Sequence, residues 1–97
     1  MKLILDPEVH INILDAMEYY EAAAGPLLAT EFHSEVKRVF QQIRTSPYSF
    51  AIRNDEFRRV NLARFPYNIV YRIIDDTSVR ILTVRHDRRD PDHGLDR

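Results

Sequence analysis

Residues 57–86 read FRRVNLARFPYNIVYRIIDDTSVRILTVRH, and their period decides the fold. Three segments, 57–62 (FRRVNL), 67–74 (YNIVYRII) and 78–86 (SVRILTVRH), are rich in Val, Ile, Tyr and Phe. They are separated by Arg64-Phe65-Pro66 and Asp75-Asp76-Thr77. Period-two apolar segments broken by turn residues predict three strands joined as a meander. Residues 50–53 (FAIR), ahead of an Asn54-Asp55-Glu56 turn, supply a further short strand.

Upstream the period changes to 3.6. Val9, Ile13, Leu14, Met17, Tyr20 and Ala24 draw one apolar stripe, and Leu28, Phe32, Val36, Val39, Phe40 and Ile43 draw a second. Asp6-Pro7 suits a helix start, Gly25-Pro26 a corner and Ser46-Pro47 a stop. The spacing therefore predicts a helix over 7–24 and a second one carrying the stripe from Leu28 to Ile43 until Ser46-Pro47 ends it, folded as an antiparallel hairpin. The run 2–5 reads as a strand. The predicted order is β-α-α-β-β-β with one extra short strand: an α+β domain whose N-terminal strand and helical hairpin pack on one face of an antiparallel sheet. On the last strand, Leu82 and Val84 are expected beneath the helices, with Thr83 and Arg85 on the open side. The polar segment from Asp87 onward is expected either to lie over the sheet or to be mobile.

Ninety-seven residues, 44% of them hydrophobic, make a single domain without repeat, linker or low-complexity tract. No run approaches the ~20 apolar residues of a membrane span. The opening seven residues are too short for a signal peptide, and there is no cysteine, so cytoplasm is the expected location. The net charge of −1 hides an asymmetry. Residues 1–43 carry net −4, whereas residues 44–97 carry net +3 from eleven arginines and no lysine. Arginine holds phosphates and carboxylates in two-point contact, which suggests an acidic or anionic partner for the second half. Solvated strand faces also carry arginine, so no single one identifies a site.

Several chemistries lack their residues. His10, His33, His86 and His93 are scattered without metal-ligand spacing, so no metal and no cofactor are expected. Two glycines cannot build a phosphate-cradling loop, and no serine stands in a nucleophile elbow. What remains is Arg85-His86-Asp87-Arg88-Arg89-Asp90-Pro91 at the end of a strand, with Arg53, Arg58, Arg59, Arg64, Tyr71 and Arg72 on neighbouring strands. Cleavage of RNA needs a base, an acid and cations around the phosphorane, which His86 and the arginines have the chemistry to supply. His86 equally suits a hydrogen-bonded strand end. Phe65, Tyr67 and Tyr71 suit sheet packing or base stacking.

These residues resemble the RelE/ParE toxin superfamily of type II toxin-antitoxin systems. The likeness is carried by Ala16-Met17-Glu18-Tyr19-Tyr20, Phe32, Glu35, Ile43, Pro47, the stretch Leu62–Arg72 and the ending Ile81–Pro91. RFPYNIVYR and VRHDRRDP resemble the ParE-like, plasmid-stabilisation branch most. The resemblance implies a small growth-arrest protein neutralised by a cognate antitoxin, forming a hetero-oligomer with it. RelE-like members cut mRNA on the ribosome with basic side chains and often a C-terminal tyrosine; ParE-like members block DNA gyrase. Here Ala63 occupies the position of a ribonuclease arginine, with Arg64 adjacent, and no tyrosine follows Tyr71. His86 or His93 would have to substitute. The expected function is therefore a ParE-like block of gyrase, with binding residues Arg58, Arg59, Tyr71, Arg72, Arg88 and Arg89. The alternative is an mRNA endoribonuclease with His86, Arg85 and Arg64 as catalytic groups, and a third reading is a non-toxic protein-association module.

Overall fold

Asp6 separates the first strand from the first helix, and its carboxylate does not cap the helix as the sequence suggests. It is buried and instead accepts a 2.6 Å bond from Arg80 Nε, across 74 residues of chain. The computed structural model describes residues 1–54 and 56–88, with the elements β1 (Lys2–Leu5), α1 (Pro7–Ala24), α2 (Pro26–Thr45), a 3-10 turn (Pro47–Ser49), β2 (Ile52–Asn54), β3 (Phe57–Asn61), β4 (Tyr67–Ile73) and β5 (Ser78–His86). Helix α1 matches its predicted span, and α2 carries the second stripe and ends before Ser46-Pro47 as expected. The extra strand is present, shifted by a residue or two towards the turn.

The sheet runs β1-β5-β4-β3-β2 and is mixed, not purely antiparallel. β1 pairs parallel with β5, Lys2 opposite Ser78 through Leu5 opposite Ile81. The helical hairpin and the meander together form the long crossover that a parallel pair needs. β4 pairs antiparallel with both β3 and β5.

One irregularity sets which side chains face the helices. Val70 lies opposite Thr83 but Tyr71 opposite Ile81, so Leu82 has no partner and forms a bulge. The alternation of β5 flips there. Val79 and Ile81 before it, and Val84 after it, all join the helix-side core with Ile69, Tyr71 and Val60. Val84 is thus beneath the helices as expected, whereas Leu82 is buried outside that core cluster. Thr83 and Arg85 are also buried, correcting their expected exposure. The Thr83 hydroxyl donates to Asn12 Oδ1 on α1 at 2.9 Å, and Arg85 lies opposite Asn68 on the face away from the core.

The core brings Val9, Ile13, Ala16, Met17 and Tyr20 of α1 against Phe32, Val36, Val39 and Ile43 of α2 and the strand residues above. Leu14, assigned to the α1 stripe by spacing, is 64% exposed, and Ala16 takes the inward position. Phe32 is the aromatic hub, its ring centroid 5.2 Å from Phe65 and 5.0 Å from Tyr67. Edge-to-face aromatic pairs of this kind add about 0.5–1.5 kcal/mol each beyond area burial. The β4–β5 turn is closed by Asp75, whose carboxylate accepts from the Thr77 amide at 2.8 Å and the Thr77 hydroxyl at 2.9 Å. Those bonds hold its pKa below the usual carboxylate range.

Two positions make the fold testable. Gly25 joins the helices at φ 93° and ψ 173°, a region nearly restricted to glycine, and its added Cβ would meet nothing within 4 Å. Gly25→Ala should therefore cost about 1–3 kcal/mol from backbone strain alone in urea denaturation. Tyr71 is wholly buried and its hydroxyl donates to the Pro47 carbonyl. Burial pushes its phenol up to about 12, against a smaller lowering by Arg58. Because the folded pKa exceeds the ordinary phenol value of 10.0, this contribution to stability is complete below pH 10 and is lost as pH rises towards 12. Tyr71→Phe should cost roughly 1–2 kcal/mol near neutrality and flatten the stability profile between pH 10 and 12, read by chemical denaturation across that range.

Candidate functional site

The C-terminal end of β5 meets α1 along a strand edge that β1 does not reach. β1 stops opposite Ile81, so the β5 backbone beyond it needs another partner. Asn12 provides it, its Oδ1 accepting from the Val84 amide at 3.0 Å. Next to this contact a groove of about 600 Å³ opens between α1 and the sheet. Asp15, Tyr19 and Tyr20 line one wall, and Pro66, Tyr67 and His86 the other. Its rings form a chain of contacts, Tyr19–Tyr20 at 5.3 Å, Tyr20–Tyr67 at 6.2 Å and Tyr67–His86 at 5.2 Å. Burial, with smaller contributions from Tyr67 and Tyr19, raises the Tyr20 phenol, which stays a neutral hydroxyl near pH 7.

The residues singled out for catalysis are divided among different surroundings. His86 is half-buried on the groove side, and its Nδ1 accepts the Arg88 amide at 3.1 Å. Arg85, the preceding residue, sends its guanidinium to the opposite face, where Nε donates to Asn68 Oδ1 at 3.0 Å and the residue is 5% exposed. Asn68 in turn donates to Asp87 Oδ1 at 2.8 Å. Arg64, on the β3–β4 loop, is bound to α2: its amide donates to Glu35 Oε2 at 3.0 Å and its Nη2 to Glu31 Oε2 at 2.8 Å. Its guanidinium also lies 5.7 Å from the centre of the Phe65 ring.

The proposed binding residues divide likewise. Tyr71 is a core residue, so its ring offers no surface. Arg58 points to the same side and holds the segment before β2, its Nη1 donating to the Phe50 carbonyl at 2.7 Å. On the other face, Arg72 pairs with Glu56 at 2.8 Å. Arg59 lies on that face too, opposite Val70, and its Nε is buried with no hydrogen-bond partner among the described residues. Arg88 is exposed after β5. Arg89 and His93 lie outside the described residues.

Sequence reasoning missed Asn12, Asn68 and Asp87, whose roles depend on partners 17 to 72 residues away. Only the local strand-end pattern around Asp87 hinted at them. Among the described residues no His, Cys, Asp and Glu side chains gather into a metal site, and no helix is long and apolar enough to cross a membrane.

A family model described as the ParE toxin of type II toxin-antitoxin system, parDE, matches residues 3–91. Toxin ParE2 of Mycobacterium tuberculosis (strain CDC 1551 / Oshkosh) is 30% identical over 83 residues, covering 86% of this chain and 78% of its own. Toxin ParE2 of strain ATCC 25618 / H37Rv gives the same figures. Among solved structures, the chromosomal ParDE TA system from P. aeruginosa is similar with a TM-score of 0.70 at 15% identity, over 89% of this chain and 95% of that chain. The isolated E. coli RelE toxin is similar with a TM-score of 0.58 at 17% identity, over 98% and 93%. At these identities the two structures bear on the fold alone, which they share with this α+β domain. The family match spans nearly the whole sequence, from β1 through the arginine-rich ending: this chain belongs to the ParE toxin family of type II toxin-antitoxin systems.

Proposed function

We propose that this toxin arrests bacterial growth by binding DNA gyrase, without cutting RNA, and that a cognate antitoxin neutralises it by covering its binding surface. The reading is supported above all by the separation of the groups that a ribonuclease would have to bring together. Phosphodiester cleavage needs acid, base and cation within hydrogen-bond reach of one phosphate. Here the Arg85 guanidinium and the His86 ring emerge on opposite faces of β5, and the Arg64 guanidinium is bound to Glu31. A binding toxin needs no such convergence. It needs a rigid surface, which the five-stranded sheet and the hairpin provide.

Antitoxin capture is consistent with the charge distribution. An acidic segment that folds on binding would find arginines on the second half of the chain, including the exposed Arg88.

The reading is tested by inducing the chain alone in a bacterial host, with primer extension on abundant transcripts and topology gels of a reporter plasmid from the same cultures. The expected outcome is growth arrest with intact transcripts and relaxed or cleaved plasmid DNA, retained by His86→Ala. New transcript ends within translated regions, abolished by His86→Ala or Arg85→Ala, would assign the ribonuclease activity instead. Normal growth on induction of wild-type protein, verified as folded, would leave a protein-association module.

A further inference from the structure

We infer that the groove between α1 and the end of β5 is a receptor for a cationic side chain, an arginine or lysine presented by a basic segment of a partner protein. Three observations lead there. The walls are aromatic: Tyr19 is 65% exposed, and Tyr20, Tyr67 and His86 continue the ring surface inward. Aromatic faces attract cations through the ring quadrupole, best where water is partly excluded. A carboxylate stands at the mouth. Asp15 is exposed, lines the groove and has no ion-pair partner among the described residues; Tyr19 follows it by four positions, so ring and carboxylate share one helix face.

The surroundings carry the matching charge. Helix α1 holds Glu8, Asp15, Glu18 and Glu21 and neither lysine nor arginine, and of these acids Asp15 lines the groove. Arg85 also lines the groove, but its Nε is engaged, donating to Asn68 Oδ1. The His86 ring sits edge-on to Tyr67, with Nδ1 taken by the Arg88 amide. An incoming guanidinium would slide between Tyr19 and Tyr67 and meet Asp15 at the rim, while its methylene stem covers the apolar floor at Ala16 and Val84. This inference stands apart from the gyrase reading, because it concerns the chemistry of the occupant and holds for either protein partner.

The experiment is an NMR titration of the full chain, following the tyrosine ring and His86 resonances. The probes are the capped tripeptides Ac-Gly-Arg-Gly-NH2, Ac-Gly-norleucine-Gly-NH2 and Ac-Gly-Glu-Gly-NH2. The expected result is saturable shifts of Tyr19, Tyr20 and Tyr67, with the arginine peptide bound about fivefold tighter than the norleucine peptide and the glutamate peptide weakest. Asp15→Asn should reduce the arginine-to-norleucine ratio to about one or two, and Tyr19→Ala should weaken both peptides. Both positions are exposed, so the variants keep the fold. Equal binding of arginine and norleucine, preference for glutamate, or no shift in these rings would each overturn the inference.

Discussion

The seating of the chain's first twelve residues on β5 is the constraint from which the remaining architecture follows. β1 pairs with the first half of β5, Asp6 binds Arg80 and donates its amide to the Ile81 carbonyl, and Asn12 then takes over the edge that β1 leaves unpaired. One edge of β5 is therefore served by a strand, a charge pair and a helix side chain in succession. Its other edge pairs with β4 from Val79 to His86, interrupted only by the bulge at Leu82. An exposed hydrogen-bonding edge invites wrong pairing, and this arrangement removes it where the candidate groove begins. It also fixes α1 across the sheet end, so that Tyr19 and Tyr20 come to face Tyr67 and His86.

A second set of contacts locks the opposite wall. The β3–β4 loop is held by α2 through Glu35 and Glu31, and its Phe65 packs into the cluster of Phe32 and Tyr20. Glu35 is buried, and a buried carboxylate is tolerated only when its oxygens are bonded; the Arg64 amide and the Arg38 guanidinium at 4.0 Å serve it. The loop that looked like a site for a catalytic arginine is thus first a clamp between the layers. Arginines elsewhere show the same division of labour. Arg58 ties down the segment before β2, Arg80 the chain start and Arg85 the start of β4, so several of the eleven arginines are structural, which composition could not separate from those available to a partner.

Family membership and chemistry then meet at one surface. The sequence match covers β1 to the arginine-rich ending, whereas the two solved neighbours share the fold at low identity. One of those neighbours is a RelE toxin, so the fold alone does not select between the superfamily's activities. The choice rests on side chains. The groove is lined by aromatic rings with Asp15 beside them, whereas the far face of the sheet carries Arg59, Arg72 and Arg85.

The sequence by itself determined the two helices, the meander and the family. These rest on local rules: a 3.6-residue stripe in each helix, Gly25-Pro26 between them, period two after Pro47, and the RFPYNIVYR and VRHDRRDP segments. Only the tertiary structure decided the parallel placement of β1, the bulge at Leu82 and the burial of Thr83, Arg85 and Tyr71. Alternation counts residues within one strand, but a bulge is defined by the partner strand, and an extra residue reverses every facing beyond it. Alternation within the strand already separates His86 from Arg85. Their adjacency in sequence puts them on opposite faces, and what each one does is set by Asn68 and Tyr67 on a neighbouring strand that a linear reading cannot place in register.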